Sequence, residues 1–218
     1  MKEILQSALD NDKQSKLPNG GTFTAAPSFS TRYIRNVINN VCSNENIRYL
    51  EVGVYRGASF SAALYKNEIK AVAVDNWCQD VWHPGSSRDD FLKVLHEVRG
   101  DNNLKILEKD CWKVKYDDFS SHLGGEKINV YFFDGPHGYD DQYNALVKYI
   151  DCLDDEFILF VDDYNEGPGA HVIEATQAAI IDLNLDVVFE RSLPTGRYWQ
   201  GLYAAVLKKK IRQNKEKR

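Results

Sequence analysis

Apolar residues recur along this chain at two different spacings, and the change of spacing outlines the fold. Ile34, Val37, Ile38 and Val41 lie three and four residues apart. That predicts an amphipathic helix ending near Cys42, with Ser30 or Thr31 as its cap. Beyond it, short apolar runs take over. "IRYLEVGV" (Ile47 to Val54), "IKAVAVD", "LKILEKD", "INVYFFD" and "EFILFVDD" predict five strands. "ASFSAALYK", "SSRDDFLKVLHEVRG", "GYDDQYNALVKYIDCL" and "AHVIEATQAAIIDLN" predict helices between and after them. In the second of these Phe91, Leu92, Leu95 and Val98 share a face, and in the third Tyr143, Leu146, Val147 and Ile150 do.

Strands separated by helices predict a parallel sheet. Near-continuous runs such as "VYFF" and "FILFV" fit strands covered on both sides. The last two strands, "LDVVFERS" and "GLYAAVLKK", have only "LPTGRYWQ" between them. That is too short for a crossover helix, so they should pair antiparallel. The expected fold class is α/β and Rossmann-like. It has a seven-stranded, mostly parallel sheet, a terminal antiparallel hairpin and helices on both faces. An N-terminal helical and loop cap is expected over residues 1–46, the main domain over 47–208, and a basic tail over 209–218.

Composition narrows the function classes. A chain of 218 residues, 43% of them hydrophobic, suits one sizeable core. A net charge of -5 gives no general field for nucleic acid, and "KKKIRQNKEKR" at the end reads as a solvated tail. No apolar run approaches the roughly 20 residues of a membrane span. The opening "MKEILQSALDNDKQSK" is too charged for a secretory leader. Cys42, Cys78, Cys111 and Cys152 form no C-x-x-C pair, so no zinc knuckle is indicated and the thiols are expected to be reduced in the cytoplasm.

The chemistry gathers where strands end, since ligands of open α/β sheets bind beyond the carboxyl ends. The first strand runs into Glu51, Gly53 and Gly57, spaced E-x-G-x-x-x-G. The next four end in Asp75, Asp110, Asp134 and the pair Asp162-Asp163. A dinucleotide fingerprint would place glycine where Tyr55 stands, to seat a diphosphate on a helix N-terminus. A carboxylate at that turn repels phosphate and suits an ammonium group. Asp75, about twenty residues further on, is placed to accept from ribose hydroxyls. Together they suggest an adenosine carrying an amino-acid tail.

These motifs resemble those of the class I S-adenosylmethionine-dependent methyltransferases. "YLEVGVYRGASF" is similar to their first motif, "AVAVDNW" to the second, "EKDCW" to the third and "FFDGPH" to the fourth, over roughly Ile47 to Leu207. Within that class "VDNW" and "FFDGPHGYDDQ" are most similar to methyltransferase family 24. "FVDDY" is similar to the metal-dependent sugar O-methyltransferases. The resemblance implies that Glu51, Gly53 and Gly57, with Tyr55 and Ser59 in the same turn, line the methionine part of S-adenosylmethionine. It implies that Asp75 holds the ribose, with Trp77 flanking the adenine and Asn76 also binding the cofactor, and that Asp110, Cys111 and Trp112 sit at the adenine edge. Tyr55 departs from the usual glycine.

Asp134 would lie beside the sulfonium, with Asp162 and Asp163 next to it. Three converging carboxylates suit Mg²⁺ or another divalent cation, and His137 would act as general base. Asp134 is alternatively a cap for the following helix, and the two acids after it are alternatively solvated. Trp77, Trp82 and His83 in "NWCQDVWHPGSSRDD" suggest a binding loop or lid. "TFTAAPSFS", Arg32 and Tyr33 suggest a cover, and Arg191, Arg197, Tyr198 and Trp199 lie near the same rim. The expected activity is O-methylation of a small hydroxylated molecule, such as a sugar. No nucleic acid or membrane partner is expected, and a homo-oligomer is left open. A non-catalytic cofactor-binding module and another Rossmann-like enzyme are the alternatives.

Overall fold

The computed structural model describes residues 1–18, 29–78, 86–100, 102–165 and 171–210. Strands β1 (Arg48–Val52), β2 (Lys70–Asp75), β3 (Asn103–Glu108), β4 (Ile128–Phe133) and β5 (Leu153–Asp162) pair in parallel. Strands β6 (Leu185–Leu193) and β7 (Leu202–Lys209) complete the sheet antiparallel, in the order β3-β2-β1-β4-β5-β7-β6. The order reverses between β1 and β4, and such a switch point opens a crevice at the strands' carboxyl ends.

Strand alternation sorts the core into two layers. Tyr49, Ala71, Val130, Phe132, Ile158 and Phe160 face one cluster, while Leu50, Val72, Tyr131, Phe133, Leu159 and Val161 face the other. Helices α1 (Lys2–Asp10), α2 (Arg32–Cys42), α3 (Ala58–Leu64) and α4 (Ser87–Val98) cover the first face; α5 (Tyr139–Tyr149) and α6 (Val172–Asp182) cover the second. In α2 the four predicted positions Ile34, Val37, Ile38 and Val41 are all fully buried. Burial of that kind stabilises by about 1.5–3 kcal/mol per side chain.

Two local expectations need correction. Thr31 precedes α2, but its hydroxyl donates to the Arg197 carbonyl at 2.7 Å and caps no helical amide. The third inter-strand helix ends at Tyr149, and Leu153 already pairs with Ile128. The polar "DDE" that follows sits at a register shift in that ladder, which disguises the strand's start. No α-helix connects β3 to β4 among the described residues. That connection holds 3-10 turns at Cys111–Lys113 and Tyr116–Asp118. Trp82, His83, most of "TFTAAPSFS" and residues 211–218 lie outside the described residues. Among the described residues no helix is long and apolar enough to cross a membrane.

The N-terminal segment is fastened to the β6–β7 turn. Buried Asp12 accepts from the Tyr198 hydroxyl and from the Arg197 guanidinium, and Asp10 pairs with Arg191 at 3.2 Å. Thr31, just before α2, also reaches Arg197 O, so Asp12 and Thr31 both meet the turn that carries Trp199.

Candidate active site

The turn after β1 is shaped by backbone proximity. Gly53 has φ +88°, and a Cβ there would lie 1.9 Å from the Asp134 carbonyl oxygen. The Gly53 amide donates to Val74 O and the Asp134 amide to Val52 O, both at 2.9 Å, so the ends of three strands are tied together. Tyr55 takes φ +46°, the left-handed backbone for which glycine is the usual residue. The departure at Tyr55 therefore leaves the path of the turn intact.

Asp75 organises the adjoining turn. Its Oδ2 accepts from the Tyr55 amide at 2.8 Å and its Oδ1 from the Trp77 amide at 2.7 Å, while Trp77 Nε1 donates to Tyr55 O at 2.8 Å. Desolvation raises the Asp75 pKa, and those backbone amides oppose the rise. Asp75 lines the cleft together with Tyr55, Asn76 and Trp77. One strand further along, Asp110 Oδ1 accepts from the Trp112 amide at 3.0 Å.

Glu51 does not stand where a ligand-facing residue would. It is fully buried and lines no part of the cleft. Strand alternation turns it into the same layer as Tyr49, whose hydroxyl donates to Oε2 at 2.5 Å; Ser59 Oγ donates to Oε1 at 2.6 Å. Burial lifts its pKa to about 7, against the pull of the Ser59 and Tyr49 hydrogen bonds. The side chain anchors the glycine turn from beneath, so a direct contact with an ammonium group is not what this placement provides.

The acids after β4 and β5 converge. Asp134, His137 and Asp163 each bring a ligand atom to within 4.8 Å of the others, and His137 Nε2 lies 3.5 Å from Asp163 Oδ2. Asp134 caps no helix, since α5 begins after Gly138. Burial pushes its pKa well up, and Asp162 and Asp163 add to the rise. Asp162 belongs to the cluster by charge but not by donor geometry. It is the last residue of β5, buried, with Oδ1 lacking a hydrogen-bond partner; burial and then the Asp163 charge push its pKa up to about 8. Among the described residues the three side chains whose potential ligand atoms converge are Asp134, His137 and Asp163, and Asp162 is not one of them.

All of this opens onto one cleft of about 830 Å³. Every sequence-predicted cofactor residue except Glu51 lines it: Gly53, Tyr55, Gly57, Ser59, Asp75, Asn76, Trp77, Asp110, Cys111, Trp112 and Asp134. His137, Asp162 and Asp163 line it as well. Sequence reasoning passed over Phe29, Ser30 and Gln200 as site residues, yet they form part of the same wall. Only the aromatic and polar character of "TFTAAPSFS" and "RYWQG" hinted at them.

A doubly wound sheet with a closing antiparallel hairpin, an acid-rich rim and a glycine turn at the switch point defines the class I methyltransferase architecture. A family model described as a methyltransferase domain, that of methyltransferase family 24, matches residues 50–164, a little over half of the chain. The chain belongs to that family. No curated protein matches it in sequence. Among solved structures it is similar to a Streptococcus mutans protein assigned as a SAM-dependent methyltransferase, at 14% identity and TM-score 0.59, covering 81% of this chain and 48% of that one. The magnesium protoporphyrin IX methyltransferase of Synechocystis PCC 6803, solved with bound SAM, matches at 11% identity and TM-score 0.56 over 82% and 81% of the two chains. A Klebsiella pneumoniae protein assigned as an O-methyltransferase matches at 13% identity and TM-score 0.53 over 94% and 90%. This chain spans about half the length of the Streptococcus mutans protein.

Proposed function

We propose that this protein transfers a methyl group from S-adenosylmethionine to a hydroxyl oxygen of a small molecule. The observation that carries the reading is the cleft itself. Acids stand at or just after the ends of β2, β3, β4 and β5, on both sides of the switch point, around a space fit for a nucleoside with a tail. Asp75 would accept from the ribose, with Trp77 and Trp112 at the base and Gly53 and Ser59 along the amino-acid portion. When bound, S-adenosylmethionine supplies an electrophilic methyl group on a positively charged sulfur.

The chain's own residues supply the rest. His137 takes the acceptor's hydroxyl proton at Nε2, and Asp163 favours the imidazolium that forms. Asp134 and Asp162 offset positive charge in the cleft. Positioning is the main contribution of such a site. A net charge of -5 and an acid-lined cleft favour a small acceptor over a nucleic acid.

A second reading has a divalent cation on the acids. Two observations favour it: the buried, unpartnered Oδ1 of Asp162, and the donor set Asp134, His137 and Asp163 within 4.8 Å. Opposite ligands of one oxygen-liganded cation span about 4–5 Å, so the set fits Mg²⁺, Mn²⁺ or Ca²⁺. The cation would acidify a bound hydroxyl. His137 Nε2 can serve as ligand or as base, but not both at once. Calorimetry with S-adenosylhomocysteine tests the primary reading. Wild type should bind, and Asp75→Ala should bind about 10- to 100-fold more weakly. Absence of wild-type binding at high micromolar ligand contradicts it. Chelation followed by Mg²⁺ titration separates the second reading from the first.

A further inference from the structure

Strained backbone collects in this cleft. Among the described residues seven non-glycine residues have positive φ, and four of them line it: Tyr55 (46°), Trp77 (47°), Asp163 (52°) and Trp199 (57°). Such conformations concentrate where a ligand is clamped. Trp77 has a structural role there, its indole N–H bound to Tyr55 O. The other two aromatics do something different. Phe29 lies between them, with ring centroids 5.7 Å from Tyr55 and 5.9 Å from Trp199. Phe29 is 48% and Trp199 39% exposed, unusual for large apolar rings that line a cleft.

Topology gives the arch its span. Tyr55 follows β1, whereas Trp199 precedes β7, the neighbour of β5. The Asn165 amide donates to Gln200 O at 2.9 Å, which ties the base of the hairpin turn to the end of β5. The three rings therefore bridge the rim from β1 to β7, and between those strands lie β4 and β5 with Asp134 and Asp163 at their tips.

We propose that Phe29, Tyr55 and Trp199 form the acceptor subsite, and that it takes an uncharged ring bearing neighbouring hydroxyl groups. The proposal rests on the methyl-transfer reading above. The ring's CH or π face packs on the aromatic arch, and its hydroxyls point to the carboxylates and His137. An anionic acceptor is disfavoured, because Asp134, Asp162 and Asp163 line the rim, while Arg56, whose guanidinium lies against the Tyr55 ring, is already paired with Asp90 at 3.3 Å. A cationic acceptor is disfavoured by the sulfonium that must sit beside it. Sugar rings and aromatic diols share the required chemistry.

Saturation-transfer NMR on the full chain, with and without S-adenosylhomocysteine, tests this with catechol, methyl β-glucopyranoside and tetramethylammonium at millimolar concentration. Transfer to the ring protons of catechol or of the glycoside is expected, and which of them receives it identifies the source. The signal should fall about five-fold or more in Phe29→Ala and Trp199→Ala and persist in Trp199→Phe. Trp199→Leu, which keeps apolar bulk but removes the π face, gives the same answer if an alanine variant unfolds. No transfer to either ring in wild type, equal transfer in the ring-deleted variants, or transfer to tetramethylammonium alone would overturn the proposal. Calorimetry on the same samples reports homocysteine-product binding separately, so loss of that binding in wild type counts against methyl transfer and not against the arch.

Discussion

The two halves of the cleft handle their carboxylates in opposite ways. On the β1–β2–β3 side, Asp75 accepts from two backbone amides and Asp110 from one. On the β4–β5–β7 side, Asp134, Asp162 and Asp163 crowd together, and Asp162 Oδ1 has no partner. A carboxylate answered by amides builds the turn that carries it. A carboxylate buried among its own kind waits for a cation, a proton or a substrate hydroxyl. The same contrast holds for the aromatics: the Trp77 indole N–H is fixed to the Tyr55 carbonyl, whereas Phe29 and Trp199 stand open.

Where the halves meet, the contrast can be broken outright. Gly53→Ala places a methyl group 1.9 Å from the Asp134 carbonyl, and both partners are backbone. The expected outcome is loss of folded protein, read by circular dichroism. A soluble variant that still binds the homocysteine product would show that the switch point is looser than described. Next in size is His137→Ala, which should lower methyl transfer by about 10²–10⁴-fold while leaving cofactor affinity in place. Equal loss of both would move His137 from the acceptor half to the cofactor half.

A smaller effect is expected from pH. Glu51 and Asp162 have folded-state pKa values raised to about 7 and about 8 by burial. Both groups are protonated more readily in the native state than in the unfolded chain. Their contribution to stability is fully present below the ordinary carboxylate pKa and is lost as pH rises through 7 and 8. Thermal unfolding of the ligand-free protein should therefore shift down between pH 5 and pH 9. Asp162→Asn should flatten that slope and raise the midpoint at pH 8 by a few degrees, about 2–4 °C per kcal/mol at this chain length. An unchanged slope would mean that the acceptor-half acids are relieved in some other way. An effect of similar size is expected at Ser59→Ala, which removes one donor from Glu51 and should cost on the order of 1 kcal/mol of stability.

Most of the architecture was legible because its signals are periodic and local. The alternation through "VYFF" and "FILFV", the short link between β6 and β7, and the acids after each strand all follow from chain geometry. Glu51 was misplaced for a reason the same geometry contains. A residue two positions after Tyr49 in a strand shares its layer, and Tyr49 is core. Asp162 and Asp163 were read as equals, although strand alternation and the left-handed Asp163 separate them. Phe29 and Gln200 could not be placed, because contacts distant in sequence, Thr31 with Arg197 and Asn165 with Gln200, set this part of the rim. Those contacts join parts of the chain that no local pattern relates.

A crystal structure of the protein with S-adenosylhomocysteine and Mg²⁺ tests the central claim most directly. The account predicts the ribose hydroxyls on Asp75, the base between Trp77 and Trp112, and the sulfur facing Asp134 and His137 under the aromatic arch. A ligand lying with its ribose away from Asp75, or bound outside this cleft, would contradict it.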